Sequence, residues 1–116
     1  MPHQQQHEDC ITQCRKCHDL CQDTLYNYCL TMGGKHVEAA HVKLMTDCIQ
    51  ACQTSADFMN RGSNFYASTC STCADICEAC AESCDRIGGE EMKRCAEVCR
   101  ACAKSCREMG KIKKAA

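Results

Sequence analysis

The chain has no tryptophan, two phenylalanines, three tyrosines and a single proline among its 116 residues. Leu, Ile, Val and Phe together number 14, about 12% of the chain and well under the roughly 20% at which an ordinary apolar core becomes doubtful. A large metal-free hydrophobic interior is thereby excluded. Disorder is the common alternative for such a composition, but it goes with high net charge, whereas here 14 basic residues nearly cancel 15 acidic ones to leave −1. With neither sign of charge in excess and few aromatic rings, no nucleic acid and no membrane surface is indicated as a partner. No apolar run is long enough to span a bilayer, and the opening Met-Pro-His-Gln-Gln-Gln-His-Glu-Asp has no basic region followed by an apolar stretch. The expected location is cytoplasmic.

What the chain has in place of apolar residues is cysteine, 16 in all. Cys70, Cys73, Cys77, Cys80 and Cys84 step by 3, 4, 3 and 4 with no glycine or proline between them. At 3.6 residues per turn these steps put every thiol on one narrow stripe, the seam that Leu or Ile fills in a helix bundle. Cys95, Cys99, Cys102 and Cys106 repeat the rhythm, as do Cys10, Cys14, Cys17 and Cys21. Leu25 and then Tyr28 or Met32 continue the first stripe. Cys29 does not, since eight residues from Cys21 at roughly 100° each leave it about 80° off the line. A further segment has only Cys48 and Cys52, and reading backwards in the same rhythm reaches Met45 and His41, a thioether and an imidazole in phase with the thiols.

Gly33-Gly34, Arg61-Gly62-Ser63-Asn64 and Gly88-Gly89 divide these stripes. Glycine most easily takes the left-handed conformation that ends a helix, and Ser63 or Asn64 suits the N-cap of the helix that follows. The pattern predicts one all-α domain over 1–116, with helices at about 3–32, 35–60, 65–87 and 90–110. Acidic Glu90 and Glu91 suit the start of the last helix, and Lys111, Lys113 and Lys114 its end. Short connections imply an antiparallel, up-down-up-down four-helix bundle with a cysteine-lined core. Met32, His36, His41, Met45 and Met92 gather at one end, and His3, His7, Met59, Asn60 and Met109 at the other. His3, His7, His18 and His36 are read as exposed.

Cysteine as a mere small hydrophobe does not account for the stripes. Each replacement of a Leu-sized seam residue removes methylenes worth roughly 0.8 kcal/mol apiece and leaves voids that close-packed interiors do not tolerate. A disulfide framework is opposed by a reducing cytosol and by the poor geometry of intrahelical i, i+3 or i+4 bridges. Metal ions are the occupants that thiolates select, and charge distinguishes among them. A seam of thiolates in a low-dielectric interior must be neutralised. Monovalent Cu(I), at roughly one ion per cysteine, does so; four Zn(II) ions would leave excess negative charge unless bridging thiolates build a larger cluster. Softness and the in-phase methionines also favour Cu(I).

Candidate ligands are therefore Cys10, Cys14, Cys17, Cys21, Cys29, Cys48, Cys52, Cys70, Cys73, Cys77, Cys80, Cys84, Cys95, Cys99, Cys102 and Cys106, joined by His41 and Met45. Iron–sulfur binding normally wraps loops around a discrete cluster, and a thiol redox enzyme wants one activated pair beside a βαβ unit. No carboxylate pair, phosphate loop or catalytic water position is apparent, so the chain reads as a binding protein and not an enzyme. A metallothionein-like sink for Zn or other soft metals is the alternative reading.

The Cys-striped helices, the Gly-Gly turns and runs such as Cys70 to Cys84 and Cys95 to Cys106 resemble the bacterial copper storage proteins over essentially the whole chain, and in particular their cytosolic type. The resemblance implies a four-helix bundle storing and buffering many Cu(I) ions, association into a homo-oligomer, commonly a tetramer, and exchange with a copper chaperone or a recipient copper enzyme. It also implies a copper entrance at a bundle end, for which His41 and Met45 are the nearest candidates.

Overall fold

The computed structural model describes residues 2–112. Helix α1, Pro2–Asp23, runs without a break through a π-helical turn, Thr24–Cys29, into the short α2, Leu30–Met32, so the three form one rod. A 3₁₀ turn, Gly34–Val37, leads to α3, Ala39–Asn60, followed by α4, Tyr66–Ile87, and α5, Glu90–Lys111. The four rods pack as a bundle of 50 × 21 × 19 Å in which α1 lies beside α3 and α5, and α4 beside α3 and α5.

Every cysteine is completely buried. The stripes therefore face the bundle axis, and the apolar residues around them are small or flexible. Ala74, Ala81, Ala96 and Ala103, each directly after a cysteine, are buried between helices and repeat at seven-residue spacing on α4 and on α5. They form a second seam beside the sulfur one, and their size lets the backbones approach closely enough for short thiols to meet. Met59, Met92, Met109, Leu25 and Ile87 fill the ends. Outside, ion pairs link neighbouring rods: Arg15 with Asp57, Arg100 with Asp85, and Arg107 with both Asp75 and Glu78. All are substantially exposed, so each contributes at most about 1 kcal/mol.

Cys29 departs from its expected phase. It is buried in the core because the π turn absorbs one extra residue: Leu30 N–H donates to the Leu25 carbonyl five residues back, not four. With one of the eight steps from Cys21 taken up in this way, Cys29 regains the line of the stripe. Leu25 is buried as expected, but Met32 is 55% exposed, since α2 ends where Gly33 adopts φ +68°. Among the histidines, His36 is buried and not exposed, edge-on to Tyr28; His18 is half-buried and paired with Asp19; and His7 is partly buried against Tyr66. The His3 side chain, Lys113 and Lys114 lie outside the described residues. Phe65, not Ser63 or Asn64, is the N-cap of α4; the Ser63 hydroxyl instead accepts the Phe65 N–H at 3.0 Å, holding the turn one step earlier.

The π turn makes a direct prediction. Deleting the exposed Tyr26 would leave the present Cys29 seven positions after Cys21, a step that a plain α-helix places on the same stripe. That thiol is expected to stay as protected from an alkylating reagent as in the parent chain. Free alkylation of it in an otherwise helical protein would show that phase is not what the π turn supplies.

Candidate metal centre

The sulfur atoms form a continuous network, not separate sites. From one end, Cys10, Cys70 and Cys106 make a three-thiol group; Cys106 then belongs with Cys14, Cys73 and Cys102. Cys73 and Cys102 join Cys52 and Cys77, which in turn join Cys17 and Cys48, which join Cys21 and Cys99. Within each group the sulfurs lie within 4.8 Å of one another, and successive four-thiol groups share two cysteines. Individual contacts across the bundle are as short as 3.4 Å for Cys14 with Cys106 and 3.5 Å for Cys21 with Cys99. Cys48, one of only two cysteines on α3, touches Cys17, Cys21, Cys77 and Cys99.

The four cysteines outside these groups, Cys29, Cys80, Cys84 and Cys95, all lie toward the other end, where α3 has no thiol to offer. Cys95 meets Cys21 at 3.6 Å and continues the chain of sulfurs. Cys80 and Cys84 donate to the Met45 thioether at 3.5 and 3.8 Å, so Met45 stands where the fourth helix would otherwise place a cysteine. Cys29 lies 3.8 Å from both Met92 Sδ and His41 Nε2. His41 is itself wholly buried, with Nδ1 2.8 Å from the Ser83 hydroxyl. When Nδ1 carries the proton it donates to Ser83, leaving the Nε2 lone pair directed to the sulfur side; an outer partner of this kind fixes a ligand's tautomer. The structure thus brings His41 and Met45 into the sulfur network together with the sixteen cysteines. Met92 and Ser83 were not among the expected site residues, although Ser83, three residues after Cys80, stands close to the stripe and could have been found from its spacing.

The thiols constrain one another electrostatically. Burial pushes the Cys29 thiol up to about 11, and charge on Cys95 and Cys80 pushes the same way. The hydrogen bond with Cys10 pushes Cys70 up to about 12. In the Cys10–Cys106 contact, hydrogen bonding favours the thiolate on Cys10 and correspondingly holds the proton on Cys106. Two touching sulfurs therefore do not both ionise, and a cation must replace each proton for the stripe to become fully thiolate. Such a site suits soft, low-charge ions that accept shared ligands. Separate tetrathiolate centres fit poorly, because completing one group takes two ligands from the next.

A profile of the copper storage protein family (Csp) matches residues 3–111. No curated protein matches the chain. Among solved structures, a protein from Nitrosospira multiformis is 46% identical, with 92% of this chain and 96% of that one covered at a TM-score of 0.89. The Cu(I)-bound copper storage protein BsCsp3 is 31% identical, covering 90% and 98% at 0.84. The apo copper storage protein 3 of Bacillus subtilis is 32% identical, covering 89% and 97% at 0.75.

His41 generates a test of the metal-free bundle. Burial holds its pKa below the ordinary 6.5, with the Arg86 charge acting in the same direction. As pH falls through 6.5 the unfolded chain takes up a proton that the folded chain refuses, so stability is lost with falling pH, at most about 1.4 kcal/mol per pH unit. Urea unfolding of the reduced apo-protein at pH 7.5 and 5.5 is expected to show a larger acid loss for the parent than for His41→Phe. Equal losses would place His41 in a solvated setting.

Proposed function

The chain belongs to the copper storage protein family, and on that premise we propose that it is a high-capacity Cu(I) store acting in the cytoplasm. The observation that carries this reading is the sharing of cysteines between successive thiol groups from the Cys10 end to Cys21 and Cys99. Each Cu(I) that displaces one thiol proton leaves the charge of the core unchanged, and a thiolate bridging two ions lets neighbouring groups fill together. Zn(II) held in a metallothionein-like manner would leave two excess negative charges per tetrathiolate centre in a low-dielectric interior. The ligands assigned are the sixteen cysteines with His41 and Met45, all wholly buried.

The cytoplasmic location is supported by the chemistry of those sixteen thiols, unpaired throughout the fold and kept reduced most readily in that compartment. No helix among the described residues is long and apolar enough to cross a membrane. The groups gathered at the site are all potential metal ligands, which supports a role in storage without turnover. Exposed Tyr26, Leu30 and Met32 around the end of the first rod offer apolar surface for self-association into a tetramer. Exchange with a copper chaperone or a recipient copper enzyme completes the proposed role.

Fully reduced protein titrated anaerobically with Cu(I) against a competing chelator is expected to saturate near one ion per cysteine, while Zn(II) in parallel binds fewer ions and more weakly. Saturation near four ions, with Zn(II) held as tightly, would overturn the storage reading. Replacing Cys48 by Ala, which removes a thiol touching four others, is expected to lower Cu(I) capacity by at least one ion while the helical content is retained.

A further inference from the structure

The bundle end opposite His41 carries an imidazole of its own. His7 lies three residues before Cys10, on the line of Cys10 and Cys14, and its ring meets Tyr66 edge-on with centroids 4.6 Å apart. The residue is partly exposed, yet its Nε2 is buried and has no hydrogen-bond partner among the described residues. A buried polar atom left in this way costs about 1–3 kcal/mol, so its placement calls for a ligand.

The surroundings indicate what that ligand is. Just inward lies the group of Cys10, Cys70 and Cys106, which, like the adjoining group of Cys14, Cys73, Cys102 and Cys106, takes no cysteine from α3. His7 stands three residues outward from Cys10, Tyr66 four outward from Cys70, and Met109 three outward from Cys106. Each member of the trio is thus covered, one helical turn out, by a residue of its own helix. Met59, at the corresponding end of α3, and Met109 are both buried. The outer layer therefore combines an imidazole nitrogen lacking a partner with two thioethers, above three thiols. Imidazole and thioether are neutral ligands that add no negative charge at a buried end, and both suit Cu(I).

We propose that His7 binds Cu(I) through Nε2 as the outermost ligand of the copper chain, beside the Cys10–Cys70–Cys106 group and the Met59 and Met109 thioethers. The bundle then presents a histidine to copper at both ends, His41 at one and His7 at the other. The inference rests on the copper-store reading above.

The test uses the reduced full chain labelled with ¹⁵N-histidine, titrated anaerobically with Cu(I), with nitrogen resonances and the ultraviolet thiolate-to-copper absorption read on the same samples. His7 signals are assigned by their loss in His7→Phe, which keeps an aromatic ring against Tyr66. The expected result is a His7 Nε2 shift exceeding that of its Nδ1 by saturation, with the variant binding about one Cu(I) fewer per chain. A His7 Nε2 that does not move, or moves no more than Nδ1, while the thiolate absorption develops fully would overturn the His7 site and leave the store intact. Failure of the thiolate absorption to develop would overturn the store and the His7 site with it.

Discussion

A thiol can be buried without charge only while it keeps its proton, and this bundle buries sixteen of them along one axis, twelve of them in groups whose sulfurs lie within 4.8 Å of one another. That constraint governs everything built around the axis. Metal-free, the core is a neutral and weakly hydrogen-bonded sulfur lattice that packs as a set of small hydrophobes. Loaded, it is a column of anions that stands only with matching cations between them. The scaffold has to be compatible with both states, so its helices cannot rely on large interdigitating side chains that leave no room for ions.

The fold meets that demand by moving part of its packing off the axis. Ala74, Ala81, Ala96 and Ala103 bring α4 and α5 close together along a line that contains no ligand, and exposed ion pairs add small contributions across the same interface. Larger apolar groups such as Leu25, Ile87, Met59 and Met109 sit toward the ends, where they close the sulfur column without interrupting it. Helix phase, which aims the thiols, and helix spacing, which sets how far apart they stand, are thus supplied by different residues.

Phase was the part most legible in the sequence. Steps of 3 and 4 specify a face of a helix whatever the residue type, so the stripes on α1, α4 and α5 and the His41–Met45–Cys48–Cys52 line on α3 could be read from spacing alone. Cys29 could not, because a π turn changes the rotation per residue locally, and nothing in Thr24-Leu25-Tyr26-Asn27-Tyr28-Cys29 announces it. His36 was hidden for a related reason: it lies in a 3₁₀ turn outside any helical rhythm, and its burial against Tyr28 depends on how two rods meet. His7 was in phase with Cys10, but its place near the chain terminus made solvent exposure the natural expectation. The alanines carry a seven-residue rhythm of their own, which the stronger cysteine pattern obscures.

The unequal distribution of ligands among the rods sets the ends of the column apart from its middle. With only Cys48 and Cys52 on α3, four helices supply thiols in the middle of the bundle, whereas toward the ends α3 supplies Met45 and His41 on one side and Met59 on the other. Thiolate binding releases a proton for each ligand recruited, but binding by a thioether or a neutral imidazole need not. An ion held by the mixed-ligand ends would therefore displace fewer protons than one held in the middle. Neutral ligands at the ends and thiols along the middle thus make two kinds of environment on one axis, and only the second must give up a proton for each cation it takes.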